Sequence, residues 1–309
     1  MAAATDAGPE GQYRTPLRQR LFGVHPIGYA FAGPYLIFWL ALFAFPIGFA
    51  VYMSFFDWFF AAPGAEVDRP FVGLDNYTEV LGDPSVRRAA LNALIFIVIN
   101  VPLTVVLAMV LAYALNQALP LRTFFRASYY VPYVTASVAM IAVWLWLFSG
   151  GGLINQLLGP LSPDPSWLVN SFWAMPVIAL FATWKQLGFY VLLYLAAMQN
   201  VSDELYDAAK VDGAGVVRRF WTVTVPGVRS ATTLVVVLAI IIGANFFTEP
   251  YLLTGGGGPN GASVSPVLIM YQEGIEQGNA GYGAAIGVLL AAVVMIISAI
   301  NQFVLEERE

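Results

Sequence analysis

The sequence contains no cysteine and little charge. The absence of cysteine in 309 residues excludes disulfides, thiolate catalysis and cysteine metal sites, and it leaves the redox compartment undetermined. Charged residues make up 11% of the chain, whereas soluble domains carry roughly 25%. Because 59% of the residues are hydrophobic, a chain with so little charge can bury its surface only in lipid. The composition predicts an integral membrane protein.

Lysine and histidine are also scarce, which excludes two kinds of chemistry. The two lysines, Lys185 and Lys210, are followed by Gln and Val, so no phosphate-binding loop ending in G-K-[ST] is present. His25 is the single histidine, and a lone histidine cannot form a zinc site. No hydrolase or metalloprotease signature occurs, and the few basic residues are scattered rather than clustered for nucleic acid. We predict no catalytic residue, no metal site and no cofactor on this chain.

Six apolar runs are long enough to cross a membrane, which needs about 20 residues each. The first exceeds the roughly 7–15 apolar residues of a signal peptide, so we interpret it as a retained span. The fold class is therefore an all-α integral membrane protein, with a polar tail over 1–26 and a transmembrane domain over 27–309. Prolines inside the runs indicate either local kinks or a bundle that changes shape. The six runs are about 27–54, 90–116, 126–149, 171–198, 230–253 and 281–304.

The distribution of basic residues predicts the orientation. With the N-terminus inside, the inner segments hold ten Lys or Arg residues and the outer segments hold three, as the positive-inside rule requires. We expect both termini and the segment 199–229 to be cytoplasmic, and the outer loops to be acidic and rich in turns. The inner residues are Arg14, Arg18, Arg20, Arg122, Arg126, Lys210, Arg218, Arg219, Arg229 and Arg308, and the outer ones are Arg69, Arg87 and Arg88.

The polar segment 199–229 interrupts the apolar sequence between the fourth and fifth runs. Ser202 can cap a helix whose first turn holds Asp203 and Glu204, where negative charge suits the helix dipole. Gly213 allows a turn that other residues resist, and a second short helix follows it. A plain helix connection has about 2–8 residues, so a patterned segment of this length indicates a docking surface. The alternative is a connector that lies on the membrane.

Within this segment, Asp207 to Ala214 read DAAKVDGA, with Phe220 and Val225-Pro226 downstream. This pattern resembles the EAA motif of permease subunits in binding-protein-dependent ABC importers. In this sequence Asp207 replaces the usual Glu, and Val225 replaces a common Leu. The resemblance implies that the segment docks on an ATPase subunit, through Glu204, Asp207, Ala208, Ala209, Asp212, Gly213, Ala214, Phe220 and Pro226.

Other stretches are similar to the carbohydrate branch of that family, the maltose and glycerol-3-phosphate type. They are FVGLDNY at 71–77, RASYYVP at 126–132, ELY at 204–206, TGGGGP at 254–259 and YGAA at 282–285. The resemblance covers nearly the whole chain beyond the N-terminal tail and implies the type I ABC importer permease fold.

The family resemblance implies a machine of several chains in the bacterial cytoplasmic membrane. Its parts would be this permease, a second and different permease subunit, two ATPase subunits that hold ATP and Mg, and an extracytoplasmic solute-binding protein or lipoprotein. Membrane lipid surrounds the permeases, and no nucleic acid is involved. The rivals are an autonomous secondary transporter, which would need intramembrane acids and usually repeat symmetry, and a membrane enzyme.

Lys185 lies about midway along the fourth run, and a charge near the bilayer centre is by default a functional or pairing site. The resemblance implies a sugar, oligosaccharide or polyol as the solute, and Lys185 leaves a phosphorylated polyol open. For Lys185 a polar cavity or a partner contact is favoured over snorkelling, whereas most of the candidates for the substrate pathway can equally be packing or interfacial residues. The candidates are Asn92, Asn100, Trp144, Trp146, Trp184, Lys185, Gln186, Asn245 and Glu249.

Overall fold

The structure is a computed structural model that describes residues 27–62, 64, 67–117 and 122–306. The predicted tail 1–26 and His25 lie outside the described residues. The chain divides into two units, Met1–Ala50 and Val51–Glu309. Helix α1 contains the α-helical stretches Ile27–Trp39 and Phe45–Met53, joined by a π-helical turn.

Helices make up nearly all the regular structure of the described part of the second unit. After α1 follow α2 (Asp75–Gly82), α3 (Pro84–Asn116), α4 (Arg122–Val134), α5 (Ser137–Leu147), α6 (Leu153–Leu158), α7 (Ala174–Met198), α8 (Asp203–Val211), α9 (Val216–Gly227), α10 (Arg229–Ala244), α11 (Thr248–Leu253), α12 (Pro266–Tyr271) and α13 (Ala280–Glu306).

Four of these helices are long and apolar enough to cross a membrane: α1, α3, α7 and α13. Two bent pairs, α4 with α5 and α9 with α10, bring the number to six if each pair counts as one span. The predicted fold class, an all-α membrane protein with about six spans, is therefore confirmed.

The third predicted span, 126–149, is a bent pair of helices and not one straight helix. The chain bends by 97° between α4 and α5, because Ala136 takes an extended conformation (φ −55°, ψ 127°). Pro132 lies in the last turn of α4, where it has no N–H to donate and crowds the preceding turn. The polar residues Thr135 and Ser137 then flank a break rather than continue a helix.

The predicted fifth span, 230–253, is also shorter than expected. Helix α10 ends at Ala244, and Asn245 departs from helical geometry at the C-cap (φ −105°, ψ 15°). A separate short helix, α11, carries Glu249 and Pro250. The apolar run is real, but hydropathy alone cannot distinguish one helix from two that meet at an angle.

Helix α7 is the central helix of the bundle. Of its most apolar window, 61% is buried, compared with 33% for α3 and 17% for α13. It packs along α3 and against α4. At the crossing with α4, a Cβ at Gly188 would overlap the carbonyl oxygen of Tyr129. Gly188 therefore permits the two backbones to approach each other directly.

Asp83 joins the start of α3 to the start of α13. Its Oδ1 accepts from the backbone N–H of Ser85 at 2.7 Å, and its Oδ2 accepts from the Tyr282 hydroxyl at 2.7 Å. Burial alone would raise the pKa of this carboxyl, but these hydrogen bonds outweigh burial and hold the pKa below its ordinary value. The carboxylate therefore stabilises the folded state above the unfolded-state pKa of about 4.

We expect Asp83→Asn to lower the thermal stability of the purified protein at pH 7 by about 1 kcal/mol, a value reduced for solvent screening. The amide keeps the capping geometry but loses the charge. The stabilisation is present above the unfolded-state pKa and is lost as the pH falls through the folded-state pKa. The difference in stability between the wild type and the variant should therefore disappear in acid. Differential scanning fluorimetry measures the melting temperatures of the wild type and the variant over a range of pH. Asp164→Asn, in a loop, is the control. A difference in melting temperature that does not change with pH would contradict the expectation.

Candidate functional site

The segment between α7 and α10 forms the predicted helix, glycine turn and second helix. The Ser202 side chain accepts from the backbone N–H of Glu204 at 3.2 Å and so caps α8. Asp207 and Lys210 form an exposed ion pair at 2.7 Å. Both contacts are local, because each joins residues two or three positions apart, as helix capping and i,i+3 pairing do.

Gly213 makes the turn after α8 in a left-handed conformation, with φ +75°. The backbone N–H of Ala214 donates to the carbonyl of Ala209 at 2.9 Å and closes the helix end. No atom lies within 4 Å of the position that a Gly213 Cβ would take. The glycine is therefore required by backbone geometry and not by crowding.

Two tyrosines hold this helical pair in place: Tyr113 joins α9 to α3, and Tyr206 joins α8 to α9. Tyr113 of α3 donates to the Val216 carbonyl at 3.3 Å and packs edge-on against Phe220 with ring centroids 5.0 Å apart. The hydroxyls of Tyr206 and Thr224 are 3.0 Å apart. A movement of α8 and α9 would thus pull on α3 through contacts that already exist.

The pair also exposes large apolar side chains. Val211 is 88% exposed and Trp221 is 63% exposed. Of the predicted docking residues, Ala209, Ala214 and Phe220 are partly buried within the segment, and the exposed ones are Glu204, Asp207, Ala208, Asp212, Gly213 and Pro226.

Two predicted pathway residues are engaged in contacts inside the bundle. Asn92 is buried, and its amide donates to the carbonyls of Gly261 and Val264, each at 2.9 Å. Asn100 is also buried and donates to the Thr183 hydroxyl at 2.8 Å. Both asparagines hold elements together, and the structure does not bring them to Lys185.

Lys185 lies where α5, α7 and α11 meet. Its Nζ donates to the Ser137 hydroxyl at 2.5 Å, at the first turn of α5. Trp184 and Trp144 lie with ring centroids 5.7 Å apart, and α11, which carries Glu249, packs against both α5 and α7. Trp144 is buried in the hydrophobic core and Glu249 is also buried, so Trp184 and Lys185 are the partly exposed candidates at this junction.

The remaining candidates have other surroundings. Gln186 is partly buried and accepts from the Tyr190 hydroxyl at 3.4 Å. Asn245 is exposed and donates to the Ile241 carbonyl at 2.7 Å, which closes the end of α10. Trp146 is 61% exposed, and its ring does not take part in the ring contacts of Trp144.

Sequence reasoning missed Ser137 and Thr183, the hydroxyl partners of Lys185 and Asn100. Ser137 is 48 positions from Lys185, and Thr183 is 83 positions from Asn100. Neither pairing follows from helical spacing. The proline in RASYYVP was a usable signal for the first, because a helix that ends after Pro132 leaves a new N-terminus near Ser137.

Two polar cavities lie at the end of the bundle that holds the glycine run. One, of about 520 Å³, is lined by Asp83, Arg88, Gln272 and Glu273 among others. The second, of about 360 Å³, shares Asp83 and Glu273 and adds Trp58 and Glu79. Gly255 to Gly258 all have positive φ, so this run is a tight turn. No lysine follows it, as a phosphate-binding loop would require.

Comparison with known proteins gives a consistent result. Residues 81–308 match the family described as "Binding-protein-dependent transport system inner membrane component". The chain is 32% identical over 276 residues to the arabinooligosaccharides transport system permease protein AraP of Halalkalibacterium halodurans, covering 88% of this chain and 85% of that protein. It is 27% identical over 267 residues to the sulfoquinovosyl glycerol transport system permease protein SmoG of Agrobacterium fabrum, covering 86% and 85%.

Solved structures show the same fold. A chain of a bacterial ABC transporter involved in the import of the acidic polysaccharide alginate superposes with a TM-score of 0.78 at 19% identity, covering 93% of this chain and 98% of that chain. The bacterial alginate ABC transporter in complex with alginate pentasaccharide-bound periplasmic protein gives a TM-score of 0.71 at 19% identity, covering 92% and 96%.

Proposed function

Because the chain belongs to the family of binding-protein-dependent transport system inner membrane components, and so is a multi-pass permease subunit of an ABC importer, we propose how it works within that machine. It forms half of a translocation pathway, and a second, different permease subunit forms the other half. Two ATPase subunits that bind ATP and Mg drive the pathway, and a solute-binding protein delivers the solute. The match over 81–308 carries this proposal.

The carried solute in this proposal is a sugar or a related compound. The relatives AraP and SmoG are described as permeases for arabinooligosaccharides and sulfoquinovosyl glycerol. The junction around Lys185 supports the assignment, because the partly exposed Trp184 ring lies beside the Lys185 ammonium and its Ser137 hydroxyl partner. Aromatic faces with a few placed polar groups are typical of small-molecule sites.

In the same proposal, α8 and α9 are the coupling element. They present exposed apolar and alanine side chains to an ATPase subunit. Tyr206 links α8 to α9, and Tyr113 links α9 to α3 and so transmits the movement to the bundle. A two-state bundle responds to ATP when the nucleotide favours one state over the other. The break between α4 and α5 supplies a place where the bundle can bend. In this proposal both termini and 199–229 lie in the cytoplasm, as the distribution of Lys and Arg predicts.

Co-purification with the ATPase tests the proposal against its main rival. The chain is expressed with a candidate ATPase, the sister permease and the binding protein, and a tag on this chain is used for purification. An importer subunit should bring the ATPase with it, and binding protein loaded with solute should stimulate ATP hydrolysis. A chain that transports solute in proteoliposomes without the ATPase would instead be a secondary transporter.

We expect Lys185→Ala to reduce uptake by roughly tenfold while ATPase association stays normal. The alanine removes the ammonium from the junction and leaves the Ser137 hydroxyl without its donor, a loss of about 1.5–3 kcal/mol for a charged hydrogen bond. Radiolabelled solute uptake by proteoliposomes measures the effect. Arg87→Ala, which removes an exposed basic residue outside both the junction and the coupling segment, is the control for charge loss. Unchanged uptake kinetics in Lys185→Ala would remove Lys185 from the pathway.

A further inference from the structure

A third cavity, of about 560 Å³, lies between the first halves of α3 and α7. Its lining is mostly apolar and includes Ile95 and Ile99 of α3 and Met175 of α7. Of the described residues that line it, Arg88 alone is charged. Ile95 is 47% exposed, so the apolar wall is open at the surface of this chain.

The charged and apolar parts of this lining are separated along α3. Arg88 lies near the start of the helix, and Ile99 lies eleven residues further on, about 16 Å away at 1.5 Å per residue. One leaflet of a bilayer contributes about 15 Å of hydrocarbon, half of a core about 30 Å thick. The cavity therefore has a cation at one end and an apolar wall as long as an acyl chain is deep.

Arg88 also lines the polar cavity of about 520 Å³, and both cavities share Asn260. The guanidinium donates to the carbonyl of Asn260, which engages one of its five N–H groups. Within the described part of the chain, the single ion pair closer than 4 Å joins two residues of α8, so no carboxylate contacts Arg88. Donors of the guanidinium therefore remain available where the two cavities adjoin.

We propose that the adjoining cavities bind one phospholipid with a zwitterionic head group, of the phosphatidylethanolamine class. Its phosphate accepts from Arg88, because the planar guanidinium matches the geometry of phosphate oxygens. One acyl chain lies along Ile95 and Ile99. The ammonium of the head group lies in the polar cavity, which is lined by the carboxylates of Asp83 and Glu273.

The charges of the lining favour a zwitterionic head group over an anionic one. Of the described residues that line the two cavities, Arg88 is basic and Asp83 and Glu273 are acidic. Phosphatidylglycerol would add a negative charge where negative charge is already in excess. Phosphatidylethanolamine adds no net charge and brings an ammonium to the carboxylates. Charges in one cavity of this size lie about one Debye length apart, about 8 Å at physiological salt, so screening is incomplete.

Native mass spectrometry tests the proposal by counting bound lipids. The full chain, purified in detergent alone and in complex with its partner subunits, is titrated with phosphatidylethanolamine or phosphatidylglycerol carrying the same acyl chains. We expect phosphatidylethanolamine to bind with a Kd at least about tenfold lower, a difference of about 1.4 kcal/mol. Glycerophosphoethanolamine, the same head group without acyl chains, should not bind.

Two charge variants with matched controls locate the head group. Arg88→Gln should weaken phosphatidylethanolamine binding by at least about tenfold, whereas Arg87→Gln, at the next residue and outside both linings, should bind as wild type does. Glu273→Gln should remove most of the preference for phosphatidylethanolamine. Glu276→Gln, an exposed carboxylate outside both linings, should leave the preference unchanged.

A variant of the apolar wall locates the acyl chain. Ile95→Trp should weaken binding of both lipids, because the indole fills the cavity. Leu91→Trp is the control, since Leu91 is one turn earlier on α3, 60% exposed and outside the lining. If Arg88→Gln does not fold, the wild-type preference and Ile95→Trp still decide the matter.

Several results would overturn the lipid site. They are equal binding of the two lipids by wild type, equal losses in Arg87→Gln and Arg88→Gln, and binding of the head group without acyl chains. Lipid that binds the chain alone but not the complex would also overturn it, because another subunit would then cover the cavity. None of these results bears on the importer assignment, which co-purification of the ATPase tests.

Discussion

Gly213→Val is expected to uncouple ATP hydrolysis from uptake, with transport reduced by at least tenfold. The glycine holds φ +75°, and a left-handed conformation costs a residue with a side chain about 1–2 kcal/mol, most of all a β-branched one. Because no atom crowds the Cβ position, the loss will come from a changed angle between α8 and α9. Uptake and ATPase rates of the same proteoliposomes measure the coupling ratio.

Gly215→Ala is the matched control for this prediction. Gly215 lies two residues further on, also in open space, but with φ −67°, which alanine adopts freely. It should couple normally. Gly213→Asn should retain part of the coupling, because asparagine tolerates the left-handed region better than valine. Normal transport and normal co-purification by Gly213→Val would show that the turn geometry does not carry coupling.

Gly188→Leu should prevent the permease from folding into a stable unit. The backbone of α7 lies directly against that of α4 at this position, and a Cβ would overlap the carbonyl of Tyr129. Overpacking costs about 1–3 kcal/mol where side chains can adjust. Here the obstacle is backbone, so α4 would have to move. We expect loss of the monodisperse peak in size-exclusion chromatography and of ATPase co-purification.

Gly188→Ala gives a graded version of the same test and should lower the melting temperature without abolishing expression. The control is Gly33→Ala in the membrane helix α1, where no atom lies within 4 Å of the added Cβ and where alanine is the better helix former. If Gly188→Ala melts at the wild-type temperature, the helices do not approach each other as closely as the structure has them.

Much of the molecule is encoded locally and could be read from the sequence. Apolar runs of sufficient length specify membrane helices, because the backbone polar groups of a segment in lipid must form their hydrogen bonds within the helix. The cap at Ser202, the Asp207–Lys210 pair and the turn at Gly213 depend on residues a few positions apart, so propensity and spacing suffice to predict them. The same reasoning missed the break after Val134 and the end of α10 at Ala244. Hydropathy measures how apolar a stretch is and does not give the direction of the helix axis.

Which residues form a site was decided by tertiary packing alone. Asn92 and Lys185 are both polar residues inside apolar helices, and nothing in their local sequence separates them. Packing brings the Asn92 amide to the carbonyls of Gly261 and Val264, 169 and 172 positions away, and these hydrogen bonds hold a loop in place. Packing directs Lys185 to the junction with Ser137 and Glu249, because helix crossings fix which faces meet. The sequence by itself determined a membrane permease with a polar segment between its fourth and fifth apolar runs, and the tertiary structure decided which of its polar residues share one junction.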